Sequence, residues 1–153
     1  MNKVKIIECP RDAMQGIKSH FISTDAKARY INSLLKVGFD TIDFGSFVSP
    51  KAIPQLRDTA AVLSKLDLSQ TQSKLLAIIA NTRGANDAIQ FEEINYLGYP
   101  FSISENFQMR NTHKTIQQSI KELEEILSIA SKKNKEVVTY LSMGFGNPYG
   151  DPW

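Results

Sequence analysis

Arg11 and Asp12 stand together at the end of the chain's first apolar run, and Ser46-Phe47-Val48-Ser49-Pro50-Lys51 stands at the end of the second. A carboxylate at the end of a strand binds a divalent cation or steers a base, and an arginine offers a rigid set of donors to an oxyanion or a ligand carboxylate. An ion pair that ties down a loop is the plainer use of the same two residues. Gln15 follows within reach of both, either to donate to a substrate carbonyl or as an ordinary loop glutamine. Asp43 sits between Ile42 and Phe44, so strand alternation turns it to the face opposite theirs. A carboxylate there is costly without a partner, and Arg11 or a metal ion is the expected one. Ser46, Ser49 and Lys51 suit a phosphate or a carboxylate, or a simple turn between strand and helix. Tyr140 and Ser142 close the last apolar run.

The elements that must carry these residues alternate along the chain. Residues 4–9 are short, apolar and β-branched and read as a first strand, ended by Pro10. A helix over 24–37 follows, with Ala26, Tyr30, Ile31, Leu34 and Leu35 at helical spacing and Gly38 as its stop. Residues 41–45 form the second strand, and 58–66 a helix with Leu56, Ala60, Leu63 and Leu66 facing inward. The unbroken apolar run 75–80 within 73–80 has the look of a parallel strand buried on both faces. A short helix near 85–91, a fourth strand over 93–98 and a long polar loop over 99–111 come next. A long helix then presents Ile116, Ile120, Leu123, Ile126 and Leu127, and residues 136–142 form the fifth strand.

This order predicts an α/β domain with about five parallel strands and four connecting helices. The sheet is either open and doubly wound or the first part of an eight-stranded barrel. A full barrel takes about 250 residues, so this chain of 153 residues supplies little more than half of one.

Bulk properties exclude several classes. The 18 basic and 16 acidic residues leave a net charge of +2, which gives no footprint for nucleic acid. Cys9 stands alone, so no disulfide framework exists, and His20 and His113 are too far apart for a zinc motif. No apolar run reaches the length of a membrane helix. Met1-Asn2-Lys3 leads straight into the first strand, leaving no room for a targeting peptide, and the expectation is a cytoplasmic protein. Neither a Walker loop nor a Gly-x-Gly-x-x-Gly turn is present.

Residues 4–15 and 42–55, with Arg11-Asp12 and Ser46-Phe47-Val48-Ser49-Pro50-Lys51 at their centres, resemble the opening of hydroxymethylglutaryl-CoA lyase. So do Asn81-Thr82-Arg83-Gly84, Ser104-Glu105-Asn106-Phe107, Tyr140-Leu141-Ser142 and Gly146-Asn147-Pro148-Tyr149, and the likeness spans essentially all of residues 1–153. It implies the N-terminal part of a TIM (β/α)8 barrel of the metal-dependent lyase and aldolase type, one partial domain, and a place in leucine degradation. The family cleaves 3-hydroxy-3-methylglutaryl-CoA to acetyl-CoA and acetoacetate with Mg²⁺ or Mn²⁺.

On that resemblance Asp12 is the metal ligand and Arg11 stabilises the enolate. Gln15, Ser46 and Ser142 line the substrate pocket, and Asp43 stands where the lyase has a glutamate. The ligand is an acyl-CoA thioester. The family's His-x-His pair, asparagine ligand and catalytic cysteine belong to its later half and have no counterpart here. A related acyl-CoA or 2-oxo-acid lyase, and a non-catalytic half-barrel module, are the alternatives. A half barrel exposes its edge strand and inner layer, so a homo-oligomer, most simply a dimer, is expected.

Overall fold

The computed structural model describes residues 4–152, so the chain-end residues Met1, Asn2, Lys3 and Trp153 lie outside the described residues. Five strands are present: β1 (Ile7–Glu8), β2 (Thr41–Ser46), β3 (Lys74–Ile78), β4 (Ile94–Ser102) and β5 (Glu136–Ser142). All are parallel, and their order in the sheet is β1-β2-β3-β4-β5. A doubly wound sheet reverses its order at a switch point. Here each strand pairs with its neighbour in sequence, so right-handed crossovers place the connecting helices on one side, and strand twist curls the sheet toward the other. That settles the choice the sequence left open: the chain forms five strands of an incomplete barrel, with β1 and β5 as its edges.

The helices are α1 (Pro10–Gln15), α2 (Thr24–Leu35), α3 (Thr59–Leu63), α4 (Thr82–Ala88), α5 (Glu105–Thr112) and α6 (Ile116–Ser131), with a 3₁₀ turn over Pro54–Leu56. Side-chain caps start most of the longer ones. Ser23 accepts from the Ala26 amide, Asn81 from Gly84 and Ser104 from Phe107, and Thr115 and Gln118 form a reciprocal capping box.

The four connecting helices read from the sequence are present, and two further helices add to them. Residues 10–15 are helical because Pro10 occupies the first turn, where its missing N–H costs nothing. Residues 99–111 are not a loop. β4 runs on to Ser102, because residues 96–102 pair throughout with 136–142, and α5 follows at once. The polar composition of α5 hides it from a search for apolar periodicity. β1 is shorter than residues 4–9, because only Ile7 and Glu8 find partners on β2.

The core lies between the sheet and its helices. Ile42, Phe44, Leu75, Ala77, Ile79, Leu97 and Tyr99 meet Ile31, Leu35, Val62, Ala85, Ala88, Ile126 and Ala130 there. Helix rotation departs from expectation at four positions: Tyr30, Ala60, Ile120 and Leu127 face solvent. In α6 the buried stripe is Ser119, Ile126 and Ala130, since the Ser119 hydroxyl is fixed inward by the Gln108 amide at 2.6 Å.

Alternation sends Leu76, Ile78 and Gly98 away from the helices, onto the concave face. A Cβ on Gly98 would lie 2.5 Å from Ile78 Cδ1 and 3.1 Å from Tyr140 Cε2, so glycine makes room for the tyrosine ring. The edges carry exposed apolar groups, with Ile6 60% and Leu141 65% exposed.

Candidate active site

Helix α1 caps the C-terminal end of the sheet. Its spacing brings Arg11 and Gln15, four residues apart, and Asp12 and Gln15, three apart, onto one face. Arg11 Nη1 donates to Asp12 Oδ1 at 2.8 Å and to Gln15 Oε1 at 3.0 Å, and Gln15 Nε2 donates to Asp12 Oδ1 at 2.9 Å. The rest of the guanidinium turns to β2. Arg11 Nε lies 3.2 and 3.1 Å from the two carboxylate oxygens of Asp43, and Nη2 lies 2.6 Å from Oδ2. Strand alternation thus places Asp43 as expected, and its partner is Arg11.

Asp43 is fully buried and Arg11 nearly so, while Asp12 is exposed. Burial raises the Asp43 carboxyl pKa above its ordinary value; the hydrogen bonds and charge of Arg11 act in the opposite sense, and the nearby Asp12 charge adds to burial. Burial works against the Arg11 charge, but hydrogen bonding and attraction from Asp43 outweigh it and raise the guanidinium pKa. The pair is therefore held as an ion pair by its own geometry, a forked contact of the kind arginine makes best. An arginine has five N–H donors. Nε and Nη1 are spent and Nη2 has spent one, so one Nη2 donor has no partner among the described residues.

Tyr140 on β5 joins this constellation from across the concave face. Its hydroxyl is buried with no hydrogen-bond partner among the described residues. Its pKa is pushed up to about 12, first by burial and then by the negative charge of Asp43. The sequence places Tyr140 at a strand end but gives it no role. The usable signal is parity: Val137 joins the core, so Val138, Tyr140 and Ser142 point the other way.

Ser46 is buried on β2, but its hydroxyl is turned to the Val48 amide at 3.1 Å, not to the Arg11 cluster. Ser142 shares the face of Tyr140, and its backbone carbonyl accepts from the Ser102 hydroxyl at 3.2 Å. Cys9, the residue before α1, is exposed. Partial desolvation, with Asp43 next, raises its thiol pKa, which is the reverse of an activated thiolate.

A hard divalent cation takes about six oxygen ligands, some of them water. Among the described residues no group of three His, Cys, Asp or Glu side chains converges to hold one. Asp12 offers a carboxylate, one oxygen of which already accepts from Arg11 and Gln15. These residues alone do not make a metal site.

No protein-family model matches the chain. It is 35% identical over 148 residues to the hydroxymethylglutaryl-CoA lyase YngG of Bacillus subtilis, covering 96% of this chain and 48% of that protein. It is 32% identical over 149 residues to a cytoplasmic 3-hydroxy-3-methylglutaryl-CoA lyase of Rattus norvegicus, covering 95% of this chain and 42% of that one. The crystal structure of the B. subtilis HMG-CoA lyase superposes with a TM-score of 0.90 at 34% identity, over 99% of this chain and 50% of that chain. An HMG-CoA lyase of Acinetobacter baumannii, solved in complex with coenzyme A and 3-methylmalate, gives 0.86 at 33% identity, over 95% and 47%. The chain spans about half the length of the curated relatives it matches. In sequence and in fold, this chain resembles the N-terminal half of hydroxymethylglutaryl-CoA lyase, an incomplete TIM barrel of the metal-dependent lyase and aldolase type.

Proposed function

We propose that residues 1–153 form one partial-barrel domain that supplies half of an acyl-CoA lyase active site, for cleavage of 3-hydroxy-3-methylglutaryl-CoA to acetyl-CoA and acetoacetate. The observation that carries this is the anchored Arg11 guanidinium with one Nη2 donor left over. When the carbon–carbon bond breaks, electrons move onto the thioester oxygen, and a donor fixed in advance stabilises that charge without reorganising. Asp43 positions the guanidinium and Gln15 steadies it from the helix side. Tyr140, with its unpartnered hydroxyl, is suited to hydrogen-bond a bound acyl group. Ser46 and Ser142 are assigned to the pocket wall on the resemblance alone.

Asp12 is the carboxylate this half would offer to Mg²⁺ or Mn²⁺, and the remaining ligands must come from outside the described residues. The exposed β1 and β5 edges favour association, and a homodimer is the simplest outcome; a monomeric sedimentation mass excludes it. Named relatives include cytoplasmic and mitochondrial enzymes, and the cytoplasm is the proposed location here.

A chimera tests the reading: this chain joined to the C-terminal half of the B. subtilis lyase. The folded chimera should release acetoacetate from hydroxymethylglutaryl-CoA with Mg²⁺, and Arg11→Met should abolish release. A folded chimera active only on another acyl-CoA or a 2-oxo acid moves the assignment to a related lyase. A folded chimera inert toward all of them leaves a non-catalytic module.

A further inference from the structure

Helix α1 carries Arg11, Asp12 and Gln15 on only six residues, and no side-chain cap starts it. A helix that short does not hold itself together in water, so its direction is set by what grips it from outside. Arg11 grips Asp43 at the first turn, and Met14 packs into the core. Beyond the C-cap Gly16 the chain runs through residues 17–22 to α2, and the third grip lies on that segment.

Gln55, in the 3₁₀ turn between β2 and α3, is 4% exposed and commits its whole side chain to this segment. Its Nε2 donates to the carbonyls of Ile17 and His20 at 2.9 Å each, and its Oε1 accepts from the Ile22 amide at 2.9 Å. A side-chain amide has two N–H donors, and both are engaged. The turn is held in its own place from α2. Buried Lys27 donates to the Gln55 backbone carbonyl and to Asp58 Oδ1 at 2.6 Å, and Thr24 Oγ1 donates to Asp58 Oδ2 at 2.7 Å. Phe21, within the segment, lies with its ring centre 4.1 Å from Lys27 Nζ and 4.0 Å from the Arg57 guanidinium carbon. An ordinary surface connection leaves such carbonyls to water. Here a buried side chain from the next connection takes two of them, and Ile17 is the first residue past the end of α1.

We propose that Gln55 is a positioning residue for Arg11. Through Ile17 it fixes the C-terminal end of α1, as Asp43 fixes the N-terminal end, and the two together aim the free Nη2 donor. The Asp43 fork alone would let the helix pivot about the guanidinium; the second anchor removes that rotation. The inference rests on the proposed lyase reading for what Arg11 does, and on the geometry alone for how it is held.

Native-state hydrogen exchange of the intact chain tests it, read by NMR at the Arg11 Nε–H and at the Ile22 amide. In the parent chain the two should show protection within about threefold of each other, because one opening of the segment frees both. Gln55→Met and Gln55→Glu each lose both donations, and the second keeps the size and the acceptor. Either should raise exchange at Arg11 Nε–H by about tenfold, while the Leu76 and Ile78 amides in β3 keep their parent rates. In the chimera either should lower kcat by about tenfold at unchanged KM, because a misaimed donor is missed in the transition state and not in the ground state. Unchanged Arg11 exchange in a folded variant overturns the proposal. So does exchange that rises equally at Leu76 and Ile78, the mark of a residue that serves stability alone. If neither variant folds, the parent chain decides: Ile22 protection more than about tenfold below that of Arg11 overturns the proposal, and matched protection supports it. Loosened Arg11 beside an inert parent chimera removes the lyase reading and leaves Gln55 as the anchor; an active chimera whose kcat ignores Gln55 does the reverse.

Discussion

Arg11 Nη2 lies 2.6 Å from Asp43 Oδ2, joining the first helix to the second strand across a sequence separation of 32 residues. Neither residue could keep its charge in that place alone. Removing one partner of a buried pair leaves the other uncompensated, which costs about 3–5 kcal/mol. We predict that Asp43→Ala destabilises the chain by about that amount in urea unfolding. A loss below about 1 kcal/mol would mean that water reaches Arg11 and that the pair does not position it.

Arg11→Met has a distinct pH signature. Burial already raises the Asp43 pKa, and removing the guanidinium removes the influence that lowers it. A carboxyl whose folded-state pKa lies above its unfolded value favours folding when protonated, and that contribution is lost as pH rises through the folded pKa. The stability of Arg11→Met relative to the parent should therefore fall as pH rises from about 4 toward neutrality. Urea midpoints across that range check it, and a flat difference excludes the mechanism.

Tyr140→Phe deletes a buried hydroxyl that has no partner among the described residues. Leaving such a group unsatisfied costs about 1–3 kcal/mol, so the phenylalanine chain should be at least as stable as the parent and up to about 1 kcal/mol more so. In the chimera the same change should raise KM for the acyl-CoA. A drop in stability with no change in KM would show that the hydroxyl serves the fold.

Spectrophotometric titration reads the same residue directly. The Tyr140 phenol should ionise only at about pH 12, as should Tyr99, whose pKa is likewise pushed up to about 12 by burial and then by Glu122. Tyr140→Phe should remove one equivalent from that late phase. Ionisation of Tyr140 near pH 10 would place its hydroxyl in water.

Gly84→Ala sets helix propensity against packing. Gly84 lies within α4, where alanine is worth about 1 kcal/mol more than glycine. A Cβ there would sit 2.8 Å from the Phe47 backbone carbonyl oxygen, which cannot swing aside as a side chain can. We predict a net loss of about 1–3 kcal/mol, the usual cost of overpacking. A gain in thermal stability would show that the β2–α3 connection yields.

Much of this was readable from residue types. The inward turn of Asp43 follows from alternation between Ile42 and Phe44, and the Arg11 partnership from the cost of burying a lone carboxylate. Periodicity alone did not tell the barrel from a doubly wound sheet, because strand order is a property of pairing; the barrel was legible only through the resemblance carried by residues 4–15 and 42–55. Helices α1 and α5 were missed for different reasons: α1 has too few residues to show a period, and α5 is polar on nearly every face, with Gln108 as its buried residue. Tyr140 was placed at the end of its strand but given no role, because the facing of residues 137–142 is invisible until Val137 is known to pack inward.

The sequential order β1-β2-β3-β4-β5 also bears on how the chain is made. Each new strand pairs with the one synthesised just before it, so the sheet can be laid down from the ribosome as fast as the chain emerges, with no strand waiting for a distant partner. At every stage of growth the assembly ends in an unsatisfied strand. The edge at β5 is thus the latest position of that growing front.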